Sequence, residues 1–270
     1  MVTPVLSEIQ AIEFFHLALL TVLPSTLRPD RYVLKGGANL RFFFGSHRLS
    51  EDIDFEVIGG EMWRIEDGLQ RSLASDALSR ILATGGVSIT GHSFAKSTPT
   101  TVRAKLGLHV ARQTVERRTK VEFSSRIDDD RHVTEAVPQG IAAAYGLRPP
   151  IVRRYTTNAA VEQKILALAL RGETRARDVF DLGLLLPASR GEIDGRAVGI
   201  EILETAAVRA GEITFEDFES QVLAYVDPAF AHLHQSPRAW KSMQSEVVNR
   251  LRAAVPGTGA RGPNVGPTST

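Results

Sequence analysis

Apolar residues recur along this chain with two periods, and the changes of period mark its elements. Ile9 to Leu23 is apolar but interrupted by Gln10, Glu13 and His16, which predicts an amphipathic helix ended by Pro24. Tyr32-Val33-Leu34 reads as a short strand, and Ala38 to Phe44 as a short apolar helix. Gly45 to Ser50 reads as a loop and Asp52 to Val57 as a second strand, broken by Gly59-Gly60. Met62 to Leu82 has helical spacing, with Trp63, Leu69, Leu73, Ala77 and Ile81 among its apolar positions, and Thr84-Gly85-Gly86 closes it. Three strand-like runs follow: Val87 to Phe94, Val102 to Ala111 and Thr119 to Ser124.

From Thr156 onward the pattern turns helical. Thr157 or Asn158 can cap a helix reaching Arg171, with Val161, Ile165, Leu168 and Ala169 facing inward. A second helix spans Glu173 to Leu186 and stops at Pro187, burying Val179, Leu182 and Leu186, with Asp178 and Asp181 on its opposite side. Phe215 to Tyr225 and Ala239 to Ala253 read as further helices. This order predicts an α+β fold: a mixed sheet with flanking helices, followed by a helical C-terminal domain. The expected boundaries are a core at 1–155 that includes the first helix, a helical domain at 156–255, and a Gly, Pro, Ser and Thr-rich disordered tail at 256–270.

Composition narrows the options. The 270 residues are 43% hydrophobic, enough for one large domain or two smaller ones, and contain no cysteine, so disulfides and thiolate metal sites are excluded. No stretch approaches the roughly 20 apolar residues of a membrane span, so a soluble cytoplasmic protein with no membrane partner is expected. The net charge of +1 hides a segregation. Glu51 to Asp67 holds seven acids against one base, whereas Arg103 to Arg126 and Arg148 to Arg177 each hold seven bases against two acids. An acidic patch flanked by basic segments suits a metal ion and a polyanionic substrate; ordinary solvated faces would give the same counts.

The acidic patch contains the most specific chemistry. In Arg48-Leu49-Ser50-Glu51-Asp52-Ile53-Asp54-Phe55 the two aspartates alternate along an extended strand, so both carboxylates share one face while Ile53, Phe55 and Val57 enter a core. Hard oxygen ligands so placed suit Mg²⁺ or Mn²⁺, and metal-bridging carboxylates serve phosphoryl transfer. Lys35-Gly36-Gly37 precedes them. Glycines there permit close backbone approach to a ligand, and a helix starting there would aim its N–H groups at a triphosphate. On the last predicted strand Lys120, Glu122 and Ser124 share a face opposite Val121 and Phe123, making Glu122 the candidate third carboxylate; Glu56, on the Asp52 face, is its rival.

Lys35-Gly36-Gly37-Ala38-Asn39-Leu40 followed by Arg48-x-Ser50-x-Asp52-x-Asp54-Phe55 resembles the first motif of the AbiEii/AbiGii (Men-type) nucleotidyltransferase toxins, within the polymerase-beta-like superfamily. Lys120 to Ser124 is similar to that family's second block, and Glu162-Gln163-Lys164 to Arg171, then Arg177-Asp178-Val179-Phe180-Asp181-Leu182, to its later blocks. The matches run in order from about residue 32 to 186. The resemblance implies a nucleotidyltransferase-like fold, Asp52 and Asp54 as metal ligands, and Gly36 and Gly37 framing an NTP whose charge Lys35, Arg48 and Lys164 offset. It also implies that an aspartate of the Arg-Asp block supports the site, Asp178 being the closer match than Asp181, that a tRNA 3′ end accepts the nucleotide, and that a cognate antitoxin relieves toxicity. Ser50 matches a serine that is a regulatory phosphorylation target in Men-type toxins; its hydroxyl chemistry alone suggests a bond to the loop backbone. Two other readings stay open: transfer to a small molecule or a protein hydroxyl, and a nucleotide-binding module without turnover.

Overall fold

The alternation holds from Asp52 to Phe55, and Glu56 is buried as well. In a computed structural model, which describes residues 6–125, 131–189 and 193–255, Asp52–Val57 is a strand whose Ile53, Phe55 and Val57 are buried in the main core. The chain divides into two compact units. One comprises residues up to Ala160 together with Leu223–Leu233; the other comprises Val161–Val222 and the chain from His234.

The first unit is built on a seven-stranded mixed sheet. Its elements in chain order are α1 (Glu8–Val22), β1 (Tyr32–Lys35), α2 (Gly36–Phe43), β2 (Asp52–Val57), α3 (Met62–Leu73), α4 (Asp76–Thr84), β3 (Val87–Thr98), β4 (Thr101–Val110), β5 (Arg117–Ser124), β6 (His132–Ala136), α5 (Gln139–Ala144) and β7 (Ile151–Tyr155). The strand order is β3-β4-β5-β2-β1-β7-β6, with β2 parallel to β5 and antiparallel to β1. Helices α1, α3 and α4 bury Phe14, Phe15, Leu17, Ile65, Leu69 and Leu78 in the cluster that holds Phe55, Val121 and Phe123 of the sheet. Phe55 stacks on Phe123 at 4.6 Å between ring centroids, which fixes β2 against β5 on the covered face and leaves the alternate residues on the other.

The second unit is helical: α6 (Thr157–Leu170), which starts at the end of the first unit, then α7 (Ala176–Ala188), α8 (Gly195–Val198), α9 (Ile200–Glu212), α10 (Phe215–Gln221) and α11 (Pro237–Ala253). Phe218 stacks on Trp240 at 4.4 Å, and the buried Gln244 amide donates to the carbonyls of Ala210 and Ile213 at 2.8 and 2.7 Å, locking α11 onto the end of α9. No helix of the described residues is long and apolar enough to cross a membrane.

Several expectations need correction. The single helix over 62–82 is two helices, because Ser75 caps α4 by accepting from the Leu78 N–H and so restarts the helix after Leu73. Pro187 does not stop α7 but lies in its last turn; the helix ends one residue later at Ala188, and the N–H of the capping Ser189 bonds to the Leu185 carbonyl. The α2 helix starts at Gly36 rather than Ala38. Strands β6 and β7 were not foreseen: His132–Ala136 is short and solvent-facing, and Ile151–Tyr155 carries two arginines. The expected tail at 256–270 lies outside the described residues.

Candidate active site

Strand register assembles the acids. Asp54 of β2 lies directly between Lys35 of β1 and Glu122 of β5, and Asp52 lies opposite Lys120. On the far side of β5, Arg103 of β4 pairs with Glu122 and Lys105 with Lys120. Two rows therefore cross the face of the sheet opposite the aromatic core: Lys35, Asp54, Glu122, Arg103, and Asp52, Lys120, Lys105. Side chains follow the rows. Lys120 Nζ donates to Asp52 Oδ2, and Arg103 donates to Glu122 Oε2 through Nε at 2.7 Å and Nη2 at 2.6 Å. Lys35 Nζ donates to Glu56, whose carboxylate is fully buried, and to Ser124 Oγ at 2.7 Å. The Lys35 ammonium is thus engaged within the sheet, and Glu56, the rival third carboxylate, is its partner.

Asp54 is the carboxylate that these pairings leave most exposed to like charge. Burial pushes its pKa above the usual carboxylate value; the charges of Asp52 and Glu122 push it the same way, while Lys120 and, less strongly, Lys35 oppose them. Acids that repel one another beside a cavity are an arrangement that a divalent cation relieves.

The glycine turn closes against the same acids. Gly36 has φ +68°, a conformation that a side chain resists, and a Cβ there would lie 2.9 Å from Asp54 Oδ2. A Cβ on Gly37 would lie 2.6 Å from Ser50 Oγ and 3.1 Å from Arg48 Nη2. The first turn of α2, which has no side-chain cap, thereby abuts Asp54, Ser50 and Arg48. Ser50 is buried and its hydroxyl donates to the Asp52 carbonyl at 2.7 Å, the backbone use that hydroxyl chemistry suggests. Arg48 is also buried; its position is set by an isolated bridge to Val226, flanked by bonds from Leu49 N–H to the Tyr225 carbonyl and from Asp227 N–H to the His47 carbonyl. Residues 223–233 thus strap the loop that leads into β2.

A second tether runs from α1. Thr119 donates its hydroxyl to the Glu51 carbonyl at 2.7 Å, so its oxygen accepts from His16 Nε2 at 3.2 Å, which fixes the tautomer of a histidine that burial holds neutral, with its pKa pushed down to about 3. That chain pins the peptide just before Asp52.

Lys164 and Asp178 stand in the second unit. Lys164 Nζ reaches Asp178 Oδ1 at 3.1 Å and Asp181 Oδ2 at 2.5 Å, and Arg171 Nη1 reaches Asp178 Oδ2 at 2.7 Å; both aspartates are fully buried. Asp181, ranked below Asp178, shares the lysine with it.

A 710 Å³ cavity is lined by Asp52, Lys120, Lys105, Arg118, His92 and Ser93 among others. Among the described residues no three His, Asp or Glu side chains form a metal-binding cluster. Asp52 and Asp54 alternate on β2, with Glu122 in register beside Asp54, and all three offer hard carboxylate oxygens, the donor type that suits Mg²⁺ or Mn²⁺. Lys105 and Arg103, unassigned from the sequence, belong to this face as well; the period-two spacing Arg103-x-Lys105 on a strand next to β5 was their signal.

The fold is nucleotidyltransferase-like. A crystal structure of JHP933 from Helicobacter pylori is similar with a TM-score of 0.54 and 18% identity, covering 90% of this chain and 94% of that one. A second H. pylori structure, described as a "putative nucleotidyltransferase", gives a TM-score of 0.52 and 18% identity over 92% of this chain and 98% of that one. The chain belongs to the AbiEii family: the family described as nucleotidyl transferase AbiEii toxin, type IV TA system, matches residues 18–256. No curated protein matches the sequence.

Proposed function

We propose that this chain is a divalent-metal-dependent enzyme that transfers a nucleoside monophosphate from an NTP to an RNA acceptor, the 3′ end of tRNA, as the toxin of a toxin–antitoxin pair. Family membership supplies the transferase class and implies an antitoxin. The observation that carries the finer reading is the row of carboxylates in register beside the Gly36-Gly37 turn.

In this reading Asp52 and Asp54 hold Mg²⁺ or Mn²⁺, and Glu122, oriented by Arg103, is the third carboxylate. A bound cation supplies charge neutralisation at the α-phosphate. The first turn of α2 presents Gly36 and Gly37 N–H groups to the triphosphate, with Arg48 behind them. Glu122, in register beside Asp54, assists the metal or takes the proton of the attacking 3′ hydroxyl. Pyrophosphate leaves in line, and catalysis rests on positioning and electrostatics rather than covalent chemistry. The protein lies in the cytoplasm, where NTP and tRNA are found.

Incubation with each α-phosphate-labelled NTP, total RNA and Mg²⁺ tests the proposal. Label should enter tRNA with the wild type and not with Asp52→Ala of equal melting temperature. Label in a small molecule or protein instead would refute the acceptor, and equal labelling by both proteins would refute the site.

A further inference from the structure

The row Asp52, Lys120, Lys105 contains an arrangement that a resting sheet does not favour. Lys105 and Lys120 are direct cross-strand partners on one face, and like charges so placed are destabilising. Lys105 is solvent-exposed and has no ion-pair partner among the described residues, while Lys120 bends the other way, to Asp52. That pair is only partly covered, at 32% exposure for the lysine and 25% for the aspartate side chain, so water and ions reach it. Lys120 is also the strongest opposing charge on Asp54. Both lysines line the 710 Å³ cavity together with Asp52.

One ammonium therefore stands between two alternative partners. On one side is the carboxylate pair, for which it serves as resident counter-ion. On the other is a cavity in which a second ammonium already faces solvent. Resting on the metal-site reading above, we propose that Lys120 is displaced from Asp52 when a divalent cation binds, and that with Lys105 it then forms a two-ammonium site for a phosphate group in the cavity. Metal binding and phosphate binding are coupled through this one side chain: the cation releases the lysine, and phosphate holds it away from the carboxylate, so each ligand favours the other. The phosphate comes either from the nucleotide or from the acceptor backbone, and the chemistry is the same.

The test uses the full chain and calorimetric binding. Mn²⁺ is titrated into the wild type, Lys120→Met, Lys120→Arg and Lys105→Met. Non-hydrolysable α,β-methylene NTPs and a short oligoribonucleotide without a 5′ phosphate are titrated separately in saturating Mn²⁺. Removing the competing ammonium should tighten Mn²⁺ about three- to fivefold in Lys120→Met, the scale of a partly exposed ion pair. Mn²⁺ should also raise the melting temperature of Lys120→Met more than that of the wild type, because the metal-free variant leaves the acids unscreened. Lys120→Arg should return Mn²⁺ affinity towards wild type. Lys105→Met should leave Mn²⁺ affinity unchanged, and both methionine variants should weaken one phosphate ligand about tenfold; the ligand that weakens identifies the occupant. Equal Mn²⁺ affinity in wild type and Lys120→Met overturns the counter-ion role. Tighter Mn²⁺ with unchanged affinity for both phosphate ligands overturns the handover. A wild type that binds no Mn²⁺ at all refutes the metal-site reading itself, a distinct result.

Discussion

Lysine meets paired acids twice in this chain, and the two clusters are built to opposite ends. In the helical unit Lys164 is shared by Asp178 and Asp181, with side-chain exposures of 13%, 1% and 0%. On the sheet Lys120 meets Asp52 in the lining of a cavity, and Asp54 makes no ion pair among the described residues. Two buried carboxylates cost several kcal/mol of desolvation unless every lone pair is met, and Arg171 and Lys164 together meet them. The sealed cluster fixes the α6 and α7 pairing and orients Lys164. The sheet cluster keeps Asp54 under the charge of Asp52 and Glu122, and its Lys120–Asp52 pair lines a cavity. Burial decides whether the same residue types hold a fold or offer a site.

Breaking the sealed cluster should cost the most stability. Asp181→Ala leaves the Lys164 ammonium half-partnered in a buried setting and should lower unfolding free energy by about 3–5 kcal/mol, read by urea titration. A loss below about 1 kcal/mol would mean the cluster is hydrated and the contrast false. In the sheet cluster the effect should fall on activity instead. Asp54→Ala should lower nucleotide transfer by about 10²–10³-fold, the scale of losing one preorganised electrostatic group, with the fold intact by circular dichroism.

The tether behind the sheet cluster gives a pH signature. His16 stays neutral in the folded protein, with a pKa near 3 against 6.5 for the free side chain, so the unfolded chain binds a proton below pH 6.5 that the folded one refuses. Stability is full above pH 6.5 and is lost as pH falls. At pH 5 the loss is about 2 kcal/mol, from 1.5 pH units at 1.36 kcal/mol each. His16→Gln, which keeps a donor for Thr119, should flatten the dependence by that amount in unfolding titrations at pH 7.5 and 5.

Gly36→Ala should cost about 1–2 kcal/mol for the left-handed backbone and press on Asp54, so melting temperature and transfer fall together. The smallest change is expected at an exposed pair. Glu61→Ala, which removes a partner of the solvent-facing Arg64, should move stability by less than about 0.5 kcal/mol.

Much of the site could be read from the sequence because it lies on strands, where period two states which residues share a face. Asp52 with Asp54, and Lys120 with Glu122, follow from that alone. Their juxtaposition across β2 and β5 does not, since register depends on which strands pair and these are 68 residues apart. The same limit hid Arg103 and Lys105. Ser50 and Arg48 are candidates through the family resemblance, yet the strap at 223–233 that positions their loop is invisible without the chain's return. Helix ends failed where one residue decided them: Ser75 splits 62–82, and Pro187 is tolerated in a last turn.

The most direct measurement is a crystal soaked with Mn²⁺ and a non-hydrolysable NTP, read by anomalous difference density. The account predicts a peak bracketed by the carboxylates of Asp52 and Asp54, with the triphosphate against the Gly36-Gly37 turn. A nucleotide bound elsewhere, or a peak away from both aspartates, would contradict it.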